Sequence, residues 1–342
     1  MPDAPVAPVT PVAPDPLPTR RIRSGSWRGL VLLVGALVAA CGLSLLIGSD
    51  GILGLSDGLG LSTVEGLRLP RTALAVAVGA ALGLAGALMQ GHTRNPLAEP
   101  GLLGVSEGAA LAVVVGMAYL GVTDVAGYAW FALLGAGVTA AAVFAIASAP
   151  GGPSPVTLVL AGAAVSALVS SFTSAIVLRE PQALDDFRIW VVGSLDGRDL
   201  GVLWQVLPFL LLGLVLAAAT APGLNVLQLG DDVARSLGMH PMRHKIMGIA
   251  AVMLLTGAAT AACGPIVFVG LVVPHVARFL AGVDYRWILP YAALVGALLV
   301  LLADVLGRVV APPGELQVGI VMALIGGPAF ILLVRRARLV RL

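Results

Sequence analysis

The sequence is poor in charged residues. Asp, Glu, Lys and Arg make up 11% of its 342 residues, whereas an ordinary soluble domain carries roughly 25%. The chain has one lysine, Lys245, and a net charge of +2. A soluble globular fold is therefore not expected. A nucleic-acid-binding protein is not expected either, because such proteins present a strongly basic face.

Cysteine and catalytic motifs are also scarce. Cys41 and Cys263 both lie in apolar runs, which indicates neither a disulfide framework nor a thiolate metal site. The sequence contains no G-x-x-x-x-G-K-[ST] phosphate loop, no H-E-x-x-H and no C-x-x-C. We predict that the chain is not an enzyme, does not hydrolyse ATP, and has no catalytic residues, metal site or cofactor of its own.

Apolar residues are abundant instead. They make up 58% of the chain, and the mean hydropathy is +1.00. A helix needs about 20 residues to cross a hydrocarbon core of about 30 Å. We predict an all-α polytopic membrane protein with about ten transmembrane helices in contact with lipid. The predicted spans are 29–48, 70–90, 101–121, 127–148, 155–178, 200–220, 243–263, 266–282, 287–306 and 316–334.

The N-terminal segment differs in composition from the rest. Seven of its first 19 residues are proline, which excludes a helix there, and four arginines follow before the first apolar run. We predict a Pro-rich disordered tail with a basic flank over 1–28 and a single transmembrane domain over 29–342. The run 29–48 is interpreted as a retained signal anchor rather than a cleaved signal peptide.

The distribution of basic residues predicts the orientation. If both termini are cytoplasmic, fourteen of the 20 lysines and arginines fall on the inner side. The positive-inside rule favours this arrangement, so we predict a multi-pass protein of the cytoplasmic membrane. The six basic residues left outside are Arg68, Arg71, Arg179, Arg188, Arg198 and Arg308.

Small and hydroxyl-bearing residues recur at helical spacing in two spans. The second span has a row of small residues, which predicts close helix packing inside the bundle. The fifth span has a row of serines with Thr173 beside it. That face fits a water-filled path for a bulky polar solute, although the hydroxyls could instead bond to their own or a neighbouring helix. The two rows are Ala75, Gly79, Gly83 and Ala87, and Ser166, Ser170 and Ser174.

Two acidic residues lie within predicted spans. A charged side chain near the membrane centre costs about 2.5–3.5 kcal/mol, so such groups usually face an aqueous cavity or a partner. Glu107 lies near the inner interface and Asp304 near the outer one, and either position also fits simple interfacial placement. Arg308 follows Asp304 by four residues, which predicts an i,i+4 ion pair.

Two inner connections stand out. In residues 91–109, Pro96 and Pro100 break any helix. The longest inner connection, residues 221–245, contains a stretch that fits a short helix, since Asp231 and Asp232 suit its first turn and Gly238 suits its end. This helix is either a docking surface on the cytoplasmic face or a passive interfacial helix.

Several stretches, in this order, resemble the FecCD-type permeases of ABC importers, which move ferric siderophores, haem or cobalamin inward. The resemblance runs from about residue 65 to the C-terminus and leaves residues 1–28 without a counterpart. It is carried by RLPRTALAVAVGAALGLAGALMQ (68–90), RNPLAEPGLLGVSEGA (94–109), LQLGDDVARSLGM (227–239), GPIVFVGLVVPHVARFL (264–280), LLADVLGR (301–308) and ELQVGIVMALIGGPAFILLV (315–334).

The resemblance implies a fold and an assembly. It implies ten helices in two weakly related halves, and a weak internal repeat fits, with AGAL at 85–88 and TGAA at 256–259. It implies a dimer with the same or a related permease and a path at the dimer interface. It also implies two ATPase subunits, which bind ATP and Mg, and an extracytoplasmic solute-binding protein.

The resemblance also implies roles for individual residues. The coupling segment 223–242 would contact the ATPase through Gly230, Asp231, Asp232, Ala234, Arg235, Leu237 and Gly238. Arg68, Arg71 and Arg308 would dock the binding protein. The fifth helix, with Ser166, Ser170, Thr173 and Ser174, would line the path, and the inner gate would fall within 148–157. The inner loop motif comprises Asn95, Pro96, Glu99 and Pro100, and Glu107 stands where the family often has Ser or Asn.

The substrate is expected to be a ferric siderophore, because FRIWVVGSLDGRD (187–199) looks more like siderophore permeases than cobalamin permeases. Iron would travel inside its chelate, without protein ligands. Haem and cobalamin remain alternatives within the same class. An ion-coupled secondary transporter needs ionisable groups near the midplane, and the sequence offers few. No site favours a membrane enzyme or scaffold.

Overall fold

The computed structural model describes residues 26–48, 51–52, 64–122, 124–148, 155–312 and 314–337. Residues 1–25 of the predicted tail and 149–154 of the predicted gate stretch lie outside the described residues. Short elements are the strands β1 (Ile47–Gly48) and β2 (Gly51–Ile52), a π-helical turn (Val64–Arg68) and a 3-10 turn (Pro100–Leu103). The described α-helices are α1 (Trp27–Leu46), α2 (Leu69–Thr93), α3 (Val105–Leu120), α4 (Val125–Ala147), α5 (Pro155–Arg179), α6 (Pro181–Val191), α7 (Leu200–Leu227), α8 (Asp231–Ser236), α9 (Pro241–Cys263), α10 (Val269–Ala281), α11 (Tyr285–Val310) and α12 (Val318–Ala337).

Ten of these helices correspond to the ten predicted spans. In the described part of the chain, seven are long and apolar enough to cross a membrane, and α3, α10 and α12 contain shorter apolar stretches. Polar residues at the helix starts explain several boundaries. Ser26, Asp124 and Asp199 each accept a hydrogen bond from a backbone N–H in the first turn of α1, α4 and α7, at 3.1, 2.8 and 3.1 Å.

Helix α2 lies at the centre of the bundle, and the prediction that its small-residue row is buried is confirmed. Ala75, Gly79, Gly83 and Ala87 are all buried. A Cβ added at Gly79 would lie 2.4 Å from the carbonyl oxygen of Gly296 in α11, so the two helices approach within backbone contact. Small residues are what allow this approach.

The eighth predicted span differs from its prediction. The prediction placed a span over 266–282, but the helix begins only at Val269, and Pro274 lies inside it. Gly264 ends α9 with a φ of 78°, residues 265–267 have no regular secondary structure, and Phe268 adopts a φ of 68°. The 13 residues of α10 span about 20 Å at 1.5 Å per residue, which is less than a full hydrocarbon core.

The bundle has two ends, and the halves run in opposite directions between them. The α8 end holds the last turn of α2 and the first turn of α9, since Arg94 and Lys245 both contact α8. The α6 end holds the start of α2 and the end of α9, where the backbone N–H of Ser194 donates to the Cys263 carbonyl at 2.8 Å. Because α2 and α9 each lead through a turn into a shorter helix, the arrangement is that of an inverted repeat.

Two further boundaries differ from the sequence expectations. Helix α7 continues to Leu227, so residues 223–227 of the predicted coupling segment belong to a long helix rather than to a connection. Helix α6 was not predicted as an element. It is 11 residues long and amphipathic, and this length is too short to register as a membrane span.

Candidate functional site

A cavity of about 740 Å³ opens among α3, α5, α9 and the turns that precede α3 and α10. The four predicted path residues all line it, so the hydroxyl row of α5 faces one space. Their role in transport stays a prediction. Polar residues from other elements share this wall: Glu99, Ser106, Glu107, Thr256 and Thr260.

Some hydroxyl groups on this wall have a hydrogen-bond partner, and others have none within the described chain. The Thr173 hydroxyl donates to the Val169 carbonyl at 3.1 Å, which is the back-bonding that the sequence left open as an alternative. Thr256 is 3% exposed and its Oγ1 has no hydrogen-bond partner. The Oε2 of Glu107 is also buried without a partner. The cavity thus contains polar atoms that nothing within the described chain satisfies.

The inner loop motif follows α2 in the chain and contacts α10. Asn95 forms a local turn, with its Oδ1 accepting from the Leu97 N–H at 3.0 Å. The Pro96 carbonyl accepts a hydrogen bond from Nε2 of His275 at 2.9 Å. Glu99 accepts from the backbone N–H of Phe268 at 2.9 Å, so a carboxylate sits at the start of α10.

Pro100 completes this junction by packing on Gly270. A Cβ at Gly270 would lie 2.5 Å from Cδ of Pro100, so glycine is needed for the close approach. The loop therefore positions the start of the short helix α10 against the cavity. The sequence indicated the turns but not this contact.

An ion cluster attaches α8 to the two central helices. Asp231 pairs with Arg94 at 2.5 Å and with Lys245 at 2.6 Å. Burial alone would raise the pKa of Asp231, but the bonds and charges of Lys245 and Arg94 outweigh that effect and hold it below its ordinary value. Among the described residues, the neighbouring Asp232 pairs only with Arg235 on the same helix, and its side chain is 98% exposed.

The geometry of α8 leaves an apolar row facing outward. Gly230 and Gly238, with φ values of 112° and 77°, allow the sharp entry and exit, as the sequence predicted for Gly238. Ala234 is buried, whereas Leu229, Val233 and Leu237 are 64%, 43% and 65% exposed at a spacing of four. Among the residues of this segment, sequence reasoning missed Leu229 and Val233, together with the anchors Arg94 and Lys245. The i,i+4 spacing was a usable signal for the first two.

A buried ion cluster lies at the α6 end. Asp304 is 1% exposed and lies between Arg71, whose Nη2 is 2.9 Å from Oδ1, and Arg308, so the predicted i,i+4 pair is confirmed. Arg71 also pairs with Glu315 at 2.5 Å. Arg308 donates to the carbonyls of Ser44 and Ile47 at 2.9 and 3.0 Å, which satisfies free groups at the end of α1.

This cluster bears on the predicted docking arginines. Arg71 and Arg308 are 8% and 2% exposed, so neither presents a free guanidinium on the surface. Arg68 is half-buried and donates to the carbonyl of Leu45 at 3.0 Å. The docking role of these three arginines therefore stays a prediction. Within the described chain, Arg71 and Arg308 bond to Asp304, and Arg68 and Arg308 bond to the end of α1.

Comparison with known proteins identifies the family. A model of the FecCD transport family matches residues 30–336. The chain belongs to the FecCD transport family. It is 45% identical over 318 residues to the ferric enterobactin transport system permease protein FepD of Escherichia coli (strain K12), covering 90% of this chain and 94% of that protein. It is 44% identical over 280 residues to the iron(3+)-hydroxamate import system permease protein FhuB of Bacillus subtilis (strain 168), covering 80% of this chain and 72% of that protein.

A solved structure supports the same assignment for this FecCD chain. It is an inward-facing metal-chelate type ABC transporter, with a TM-score of 0.81 and 30% identity, covering 90% of this chain and 99% of that one. The fold is that of an ABC importer permease, as predicted. Within the described residues, no group of three or more His, Cys, Asp or Glu side chains could hold a metal ion.

Proposed function

We propose that this chain is the permease subunit of an ABC importer that moves a ferric siderophore across the cytoplasmic membrane. The observation that carries the proposal is α8, a short helix attached by ion pairs to α2 and α9 that presents an exposed apolar row. A helix fixed at its base and apolar on its free face is suited to docking a second protein. In the FecCD setting that protein is an ATPase subunit, which binds ATP and Mg.

The remaining partners follow from the same setting. A second permease, identical or related, completes the path, and a solute-binding protein delivers the chelate on the outside. Both termini are cytoplasmic, which puts the α8 end inside. Arg68 is partly exposed and remains the docking candidate. Arg71 and Arg308 are buried and stabilise the helix ends beside it. Charge pairing between Arg68 and the solute-binding protein would govern the rate and orientation of their encounter more than their affinity.

The substrate proposal rests on the relatives. FepD is named for ferric enterobactin and FhuB for iron(3+)-hydroxamate, so the ferric chelates of siderophores are the shared chemical class. The iron is cargo within its chelate. The hydroxyl-rich cavity gives a polar wall for such a solute.

Uptake of radioactive iron tests this function. A strain that lacks the gene, and the same strain complemented, would receive ferric siderophores with labelled iron. We expect uptake to fall to background and to return with the gene. Unchanged uptake with the protein present in the membrane would remove the siderophore assignment, and haem and cobalamin would be tried next. Uptake that survives ATP depletion but stops when the proton gradient collapses would indicate a secondary transporter instead.

A further inference from the structure

The described wall of the cavity carries two carboxyl groups and no basic side chain. Of the described residues that line it, Glu99 and Glu107 are acidic, and none is Lys, Arg or His. The rest of the wall is apolar or hydroxyl-bearing. A solute in this space therefore meets a wall whose ionisable groups are all carboxyl groups.

The two carboxylates are not equivalent. Glu99 is engaged, because its Oε1 accepts the backbone N–H of Phe268 at 2.9 Å. Glu107 has a buried Oε2 with no partner. It lies in the first turn of the 16-residue helix α3.

A second, independent group on the wall also lacks a partner. Thr256 on α9 is 3% exposed, lines the cavity, and has an unpartnered Oγ1. Buried polar atoms normally have partners, and each exception indicates a ligand, a water or a functional role. An acceptor and a hydroxyl without partners fit a solute that brings N–H or O–H donors.

Charge then decides which solutes fit. Two like charges a few ångströms apart repel strongly where the effective dielectric constant is below that of water. A polyanionic chelate would meet this repulsion at Glu107, and a second copy of the chain would double it. A neutral or cationic chelate with exposed donors would be favoured.

We propose that Glu107 is a specificity-determining residue of this path, which selects neutral or positively charged ferric chelates with N–H or O–H donors over polyanionic ones. The chemical class is that of ferric hydroxamates rather than catecholates or citrate. Overall similarity does not decide between them, since the relatives named for enterobactin and for hydroxamate are 45% and 44% identical. The inference rests on the proposed function.

The cavity charge is tested with a reporter cysteine. In the full chain within its membrane complex, Cys41 and Cys263 are replaced by alanine and Ser170, which is exposed on the cavity wall, by cysteine. Its reaction rates with a cationic and an anionic methanethiosulfonate reagent are each divided by the rate with a free thiol. We expect the cationic reagent to be preferred, and Glu107→Gln to lower that preference by about threefold or more.

Matched variants control this measurement. Ser171→Ala removes a back-bonded hydroxyl from the same helix, away from the cavity lining and without changing charge, and should leave the preference unchanged. A reporter at Asp185, which is exposed at the α6 end, should not respond to Glu107→Gln. A preference that Glu107→Gln does not change would overturn the proposal.

Transport tests the selectivity itself. Labelled ferric desferrioxamine B carries a positive charge, its N-acetyl derivative none and its N-succinyl derivative a negative one. With the binding protein unchanged, Glu107→Gln should raise the uptake ratio of the anionic to the cationic chelate severalfold, and Glu107→Asp should preserve the wild-type ratio. An equal ratio in wild type and Glu107→Gln would overturn the inference alone. If no ferric siderophore depends on the gene for entry, the proposed function fails with it.

Discussion

Asp304 is the residue that holds two buried arginines at the α6 end. Arg71 and Arg308 both pair with it, and all three side chains are less than a tenth exposed. Removing one member of a buried ion cluster leaves charge uncompensated, at about 3–5 kcal/mol. We therefore expect Asp304→Asn to lower the Tm of the detergent-solubilised protein by several degrees, measured by light scattering on heating.

An exposed ion pair on α6 provides the control for that variant. Asp185 pairs with Arg188 at 3.4 Å, and the two side chains are 78% and 66% exposed. Surface pairs of this kind contribute little. Asp185→Asn should leave the Tm within error of the wild type. An equal effect of both substitutions would mean that the cluster at Asp304 does not stabilise the fold.

At the scale of elements, α8 depends on Asp231 for its attachment. Because Asp231 bonds to both Arg94 and Lys245, Asp231→Asn should loosen α8 from α2 and α9. We expect ATP hydrolysis by the assembled importer to continue while solute uptake per ATP falls about tenfold, since losing a charged hydrogen-bond partner costs about 1.5–3 kcal/mol. Asp232→Asn, on the same helix but facing solvent, should keep the wild-type ratio. Equal ratios for the two variants would contradict the attachment role.

The same residue gives a pH prediction. The pKa of Asp231 is held below its ordinary value of 3.8. Because the pKa is lower in the folded state than in the unfolded state, the ionised carboxylate stabilises the contact at any pH above the unfolded-state pKa. This stabilisation is lost only as the pH falls through the folded-state pKa. The solute uptake per ATP should therefore stay constant from about pH 8 to about pH 5, because this contact does not change over that range. A loss centred near neutral pH in the wild type, absent in Asp231→Asn, would contradict it.

The contact between α2 and α10 depends on a glycine. A Cβ at Gly86 would lie 2.0 Å from the carbonyl oxygen of Gly270, and backbone cannot move aside as a side chain can. Gly86→Ala should separate the helices and reduce the amount of folded protein recovered in gel filtration. Gly35→Ala is the control, since nothing lies within 4 Å of a Cβ there. It should be neutral or slightly stabilising, because alanine favours helix by about 1 kcal/mol.

At the scale of the whole molecule, local sequence patterns predicted the helices and their faces better than they predicted the long-range contacts. Hydropathy found the ten spans, and the serine spacing correctly grouped Ser166, Ser170 and Ser174 on one cavity. Arg94 and Asp231 pair although they lie 137 positions apart, and a local sequence pattern cannot predict a partner at that separation. The burial of Arg308 was missed for the same reason, since its partners include the end of α1.

The orientation of the whole bundle is the remaining prediction. Because the α8 end carries the denser basic residues, we expect it in the cytoplasm. In a cysteine-free background, Leu237→Cys marks the α8 end and Asp185→Cys the α6 end, and both positions are exposed. A membrane-impermeant maleimide should label Asp185→Cys in intact cells and Leu237→Cys only after the membrane is opened. The reverse pattern would place α8 outside, where no ATPase could dock, and would remove the coupling role with the orientation.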